Sequence, residues 1–249
     1  MMLHKALDAA VGARLIAKNP TKGTAIPKLD RKEMKVLNDE QLDKFLDEIE
    51  KEPVWYDFFY TAITTGLRRG EICGLKWEDL DIRMGTLRIR RTVTVGPKKE
   101  LVIGEPKTET GKRTIILPQS TLELLIRRRA SAITEWIFPS ILYPEKPVAP
   151  SSAYNRLKEI LRSSGLPDIR FHDLRHTFAT HALKNGIDAK TLSGLLGHTN
   201  ASFTLDTYTH ITDDMKQHAS NVVEDFMTEL FGEDLKPWET KEEKRETEH

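Results

Sequence analysis

One stretch of this chain, residues 86–117, switches its apolar period from helical to alternating, and this constrains the fold more than any other feature. From Thr86 to Val95, Leu87, Ile89 and Val93 alternate among Arg88, Arg90 and Arg91. Alternation sends successive side chains to opposite faces, as in a half-buried strand. Gly96-Pro97-Lys98-Lys99 supplies a turn, and Leu101 to Lys107 a second strand. Glu109-Thr110-Gly111 is a second turn, and Lys112 to Leu117 a third strand that Pro118 stops. The expectation is a small three-stranded antiparallel sheet. Everything around it has helical spacing, so the class is α+β and mainly helical.

Residues 1 to 18 read as one helix, with Leu3, Leu7, Ala10, Val11, Leu15 and Ile16 at helical spacing and Asn19-Pro20 ending it. A polar linker follows to Lys35. Asn38 is placed to cap a helix, with Gln41 completing a capping box. Pro53 opens the next helix, and Thr65-Gly66 interrupts it before a short one from Glu71 to Leu75. After the sheet, helices are expected over Thr121 to Ser131, Ser151 to Ser163, His172 to Asn185 with Gly186 at its end, and Ala189 to Leu196. Ser202 to Thr209 surrounds a tyrosine, and Asp213 to Phe231 closes the fold. The organisation is then a terminal helix and linker over 1–35, one domain over 36–232, and a charged, disordered tail over 233–249.

Composition narrows the class. The longest apolar runs, such as Ile115-Ile116-Leu117, fall far short of the roughly 20 residues that span a bilayer. Met1 to Ala10 lacks the apolar stretch of a signal peptide. One cysteine, Cys73, excludes an intramolecular disulfide and a cysteine-rich zinc site, and a reducing cytoplasm is the default. The formal net charge is zero, but it is unevenly spread. Lys76 to Arg175 holds 19 Lys/Arg against 12 Asp/Glu, while Val36 to Tyr60 holds 2 against 8. Such a chain can turn a basic face to phosphates. A mixed solvated surface would give the same counts.

Five segments carry candidate chemistry. Thr65-Gly66-Leu67-Arg68-Arg69-Gly70-Glu71 sets a guanidinium at a helix start, where backbone N–H groups also suit a phosphate. Glu105-Pro106-Lys107-Thr108 puts a lysine at a hairpin tip, able to protonate a leaving oxygen or simply to solubilise the turn. In Phe171-His172-Asp173-Leu174-Arg175-His176, His172 and Arg175 are three apart and share a helix face. Leu195-Leu196-Gly197-His198-Thr199 and Asp206-Thr207-Tyr208-Thr209-His210 follow, with Tyr208 ten residues after His198. A tyrosine hydroxyl, with a pKa near 10, needs cations nearby to become a nucleophile. Arg68, Arg175 and His198 could supply them.

Together, and in this order, the five segments resemble the tyrosine recombinase (phage integrase) family over roughly Val36 to Phe231. Pro106-Lys107-Thr108 and Thr207-Tyr208-Thr209-His210 look like integrases of Gram-positive phages and conjugative transposons. The resemblance implies that family's catalytic-domain fold, and site-specific recombination by DNA cleavage and rejoining. It makes Tyr208 the nucleophile that forms a 3′-phosphotyrosine. It assigns Arg68 and Arg175 to the non-bridging oxygens, Lys107 to protonation of the 5′-oxygen and His172 to acceptance of the tyrosine proton. His198 would stabilise the transition state, and Glu71 would brace the site from behind. No metal or other cofactor is implied.

The resemblance implies as partners double-stranded DNA attachment sites, accessory DNA-bending or directionality factors, and a homo-tetramer assembled on DNA through the apolar helix at about 218–231. It also implies a bacterial cytoplasm and association with the nucleoid. The family's N-terminal core-binding domain has no counterpart beyond a last helix within Met1 to Lys18. On sequence, the chain is therefore a truncated gene product, an engineered fragment or a compact variant. A DNA-binding remnant without chemistry is the alternative, disfavoured by the full set of site residues. A type IB topoisomerase is disfavoured by the Leu-Gly-His segment and the small size.

Overall fold

The computed structural model describes residues 2–24, 35–106 and 111–197. The expected helices at 202–209 and 213–231, the tail at 233–249 and most of the linker before Lys35 lie outside the described residues. Contacts divide the chain into two units, Met1–Glu33 and Met34–His249. Among the described residues no helix is long and apolar enough to cross a membrane.

In the first unit, helix α1 spans Met2–Gly12 and stops short of the expected Lys18. Arg14 takes a positive φ of 57° and the chain doubles back. Asn19, read above as a helix stop, instead pins this return. Its Nδ2 donates to the His4 carbonyl at 3.1 Å and to Asp8 Oδ1 at 2.7 Å, and its Oδ1 accepts from the Thr21 N–H at 2.9 Å.

The second unit opens with α2, Asp39–Glu50, capped by Asn38 through the full capping box with Gln41. Helix α3, Tyr56–Thr65, begins three residues after Pro53 and ends at Gly66, which is left-handed at φ 62°. Helix α4, Arg69–Cys73, and a 3-10 turn, Trp77–Asp79, lead to the short strand β1, Leu80–Asp81. Strands β2 (Thr86–Ile89), β3 (Thr92–Val95), β4 (Leu101–Gly104) and β5 (Arg113–Ile116) follow. Four helices close the described part: α5 (Gln119–Ala130), α6 (Pro150–Ser163), α7 (Phe171–Lys184) and α8 (Ala189–Leu196).

The fold is mainly helical with small antiparallel sheets, as expected for the class. The sheet differs in membership. A three-stranded sheet runs β1-β2-β5, and β3-β4 form a separate two-stranded ribbon. The expected long strand over Thr86 to Val95 breaks at Arg90-Arg91. There Arg91 reaches away to Asp79 Oδ2 at 2.6 Å and to Glu78 at 2.5 Å. Asp79 is 1% exposed, and satisfying a buried carboxylate outweighs continuing the ladder. Strand β5 then pairs with β2, with Leu87 opposite Ile115 and Ile89 opposite Arg113.

The core is largely aromatic around α3. Phe58 packs edge-on against Phe59, Phe138 and Phe171, with ring centres 5.4, 5.2 and 6.0 Å apart. A second small cluster joins Ala179, Ala182, Leu192 and Leu196, where α7 meets α8. Gly66 sits at that junction. A Cβ there would come within 2.4 Å of Phe178 Cδ1 and 2.9 Å of Leu196 Cδ2, so three helices meet only because the side chain is absent.

Candidate active site

Arg68 is the residue before α4, with extended backbone (φ −68°, ψ 147°). Glu71, one turn on, reaches back and accepts from the Arg68 N–H at 3.0 Å. Its other oxygen takes Arg68 Nη1 at 2.8 Å. The Glu71 side chain is only 3% exposed. Burial alone would raise its pKa. The hydrogen bonds and charge of Arg113, and then those of Arg68, outweigh burial and hold it below the usual carboxylate range.

Arg175 comes from α7, more than a hundred residues later, yet meets the same place. Its Nη1 donates to the Gly66 carbonyl at 2.9 Å and its Nη2 to the Leu196 carbonyl at 2.6 Å. These belong to the C-terminal ends of α3 and α8, where unsatisfied carbonyls and the helix dipole favour a cation. Arg68 Nη2 donates to the next carbonyl of α8, that of Gly197, at 3.2 Å. Arg175 is 1% exposed, whereas the Arg68 side chain is 38% exposed.

His172 stands at the start of α7 with part of its ring exposed. It packs edge-on against His176 at 4.6 Å. Its pKa is pushed down to about 4, first by the protein packed round the rest of the ring, then by His176, Arg175 and Arg68. His172 thus feels both arginines and is neutral at pH 7, with a lone pair able to take a proton.

Arg68, Glu71 and His172 line one cleft of about 900 Å³. Its wall adds two further cations: Arg69, over the Tyr154 ring at 5.8 Å, and Arg170, paired with Asp173 at 2.7 Å. Asp173 also accepts from the Arg170 N–H at 2.7 Å, repeating the Glu71 pattern at the start of α7. Lys107, His198 and Tyr208 lie outside the described residues. Among the described residues, Pro106 and Gly111 also line the cleft, and the Gly197 carbonyl accepts from Arg68. The structure thus brings together Arg68, Glu71, Arg175 and His172.

Arg113 was missed. It donates from Nη1 and Nη2 to the two Glu71 oxygens at 3.1 and 3.0 Å, and from Nε to the Leu195 carbonyl at 2.8 Å. A signal was present: on β5 it shares the inward face with the buried Ile115 and Leu117, where a charged residue demands a buried partner. Among the described residues no cluster of His, Cys, Asp or Glu is arranged to hold a metal ion.

Residues 35–215 match the Phage integrase family. The chain is 32% identical to a XerC-like tyrosine recombinase of Caldanaerobacter subterraneus subsp. tengcongensis, over 87% of this chain and 62% of that protein. It is 27% identical to the ICEBs1 integrase of Bacillus subtilis, over 90% of this chain and 64% of that one. It therefore spans less than two thirds of the length of these relatives. Among solved structures, the Tn1549 transposon integrase in complex with circular intermediate DNA superposes with a TM-score of 0.70 at 26% identity, covering 89% of this chain and 78% of that one.

Proposed function

Since the chain belongs to the phage integrase family of tyrosine recombinases, we propose that it cuts and rejoins double-stranded DNA at specific sites to integrate or excise a mobile element. The Tyr208 oxygen attacks the scissile phosphorus, and the bond from phosphorus to the 5′-oxygen breaks. The product is a 3′-phosphotyrosine and a 5′-hydroxyl. His172, neutral at pH 7, takes the tyrosine proton, and Lys107 protonates the departing 5′-oxygen. Arg68 and Arg175 neutralise the non-bridging oxygens, and His198 adds a donor to the transition state. A 5′-hydroxyl from a partner strand then reverses the step, and the phosphodiester energy is conserved.

One observation carries this reading. Two arginines from distant segments converge on consecutive carbonyls, those of Leu196 and Gly197, directly before His198. Three of the five motif segments therefore meet in space. Arg175 must give up part of its cover to reach a phosphate, which ties its availability to DNA docking. Arg69, Arg170 and the exposed part of Arg68 give the cleft the charge to hold a DNA backbone. Four copies assembled on DNA through residues 218–231, with accessory DNA-bending factors and a place at the nucleoid, complete the proposal.

The test is covalent capture on nicked duplexes, in which the short 5′-hydroxyl strand diffuses away and traps the intermediate. Wild-type protein should give a DNA-linked species that survives denaturation, and Tyr208→Phe should give none. An equal yield from Tyr208→Phe would place the nucleophile elsewhere. DNA binding by the wild type with no adduct would favour a binding protein without chemistry.

A further inference from the structure

Arg113 belongs to no motif discussed above, yet it closes a ring of hydrogen bonds around the site. From the Leu195 carbonyl the ring passes to Arg113 Nε at 2.8 Å, then through both Arg113 terminal nitrogens to Glu71. Glu71 passes it to Arg68 at 2.8 Å, and Arg68 returns it to the Gly197 carbonyl at 3.2 Å. Start and finish are two residues apart on the last turn of α8. The Arg113 side chain is 8% exposed and that of Glu71 3%, so neither is a solvated surface pair. Arg113 Nη1 also approaches the Gly111 carbonyl at 3.4 Å, a longer contact to the turn before β5.

We propose that Arg113 is a positioning residue for strand cleavage. It fixes Glu71, through Glu71 it fixes the Arg68 guanidinium, and it locks the end of α8 against that pair. This rests on the recombinase reading above. Glu71 presents two oxygens to two arginines, so its orientation sets where Arg68 can lie. Arg113 meets both of those oxygens with its planar fork, and its Nε holds α8 as well. A lysine has the charge but no fork, and cannot serve three acceptors in one plane. Arg113 does not line the cleft beside His172 and acts only through other groups.

The test uses the full chain on nicked duplexes, measuring the single-turnover rate of adduct formation and, separately, DNA affinity. Arg113→Gln should slow adduct formation by about 100-fold, the scale of an ångström-level misplacement, with affinity changed less than about threefold. Arg113→Lys keeps a charge beside Glu71 and guards against a folding failure. It should recover part of the rate, to within about tenfold of wild type.

Two modified substrates identify the route. A methylphosphonate at the scissile position removes a non-bridging charge, so it should shrink the defects of Arg113→Gln and Arg68→Ala alike. A bridging 5′-sulfur leaves without protonation, so it should rescue Lys107→Ala but not Arg113→Gln. Wild-type rates from both Arg113 variants would overturn the proposal, as would loss of affinity and rate in equal measure. Rescue of Arg113→Gln by the 5′-sulfur would reassign Arg113 to the hairpin and its lysine. Failure of the wild type to form any adduct would instead sink the recombinase reading itself.

Discussion

At the scale of single residues, the site is built from cations held by backbone carbonyls and by the buried acids Glu71 and Asp173. Arg68, Glu71, Arg175 and His172 were candidates because each stands in a short motif that resembles those of a known family, although Arg175 and Arg68 meet carbonyls 109 and 129 positions away. Arg113 stands in no such motif. Its partners Glu71 and Leu195 are 42 and 82 positions away, and only the fold brings them together. His172 carries a prediction. Its folded pKa of about 4 lies below the unfolded value near 6.5, so the folded state binds fewer protons between those limits. Its contribution to stability is complete above about pH 6.5 and is lost as pH falls toward 4. His176 is shifted in the same direction, chiefly by burial. Denaturant midpoints measured from pH 7 to 4.5 should therefore fall, and His172→Gln should flatten part of that fall. An unchanged slope in His172→Gln would contradict the shift.

At the scale of elements, helices α2, α5, α6, α7 and α8 lie within a few residues of where spacing and caps put them, because each carries its stop and start signals locally. Local pattern gave way where a partner distant in sequence competed with it. Asn19 folds back on α1, and Arg91 leaves the strand to meet Asp79. The sheet was legible as antiparallel, but its pairing was not, since strand alternation says which face is buried and not which strand lies alongside. Gly66 is the element-scale hinge of the site. It ends α3, admits α7 and α8, and offers its carbonyl to Arg175. Gly66→Ala combines a left-handed backbone with a Cβ inside contact distance of Phe178, and should cost about 2 kcal/mol or more. Urea unfolding checks this, and a variant as stable as wild type would show that the three helices can part without penalty.

At the scale of the whole molecule, a chain with no net charge gathers Arg68, Arg69 and Arg170 on one cleft, so the overall sum conceals a local basic surface. The motifs could be read along the chain, but their convergence could not. It depends on α8 ending where α3 ends, with Arg175 bound to both ends and Arg68 to the end of α8. That convergence supports strand transfer through a covalent protein–DNA link. The most direct measurement is the chemistry of the link itself. The trapped adduct would be digested and its DNA-bearing peptide identified, and the ends of the released strand would be typed. The expected result is a peptide containing Tyr208 joined to a 3′-phosphate, and a released 5′-hydroxyl that a polynucleotide kinase labels without prior phosphatase treatment. A released 5′-phosphate, or a DNA-bearing peptide lacking Tyr208, would contradict it.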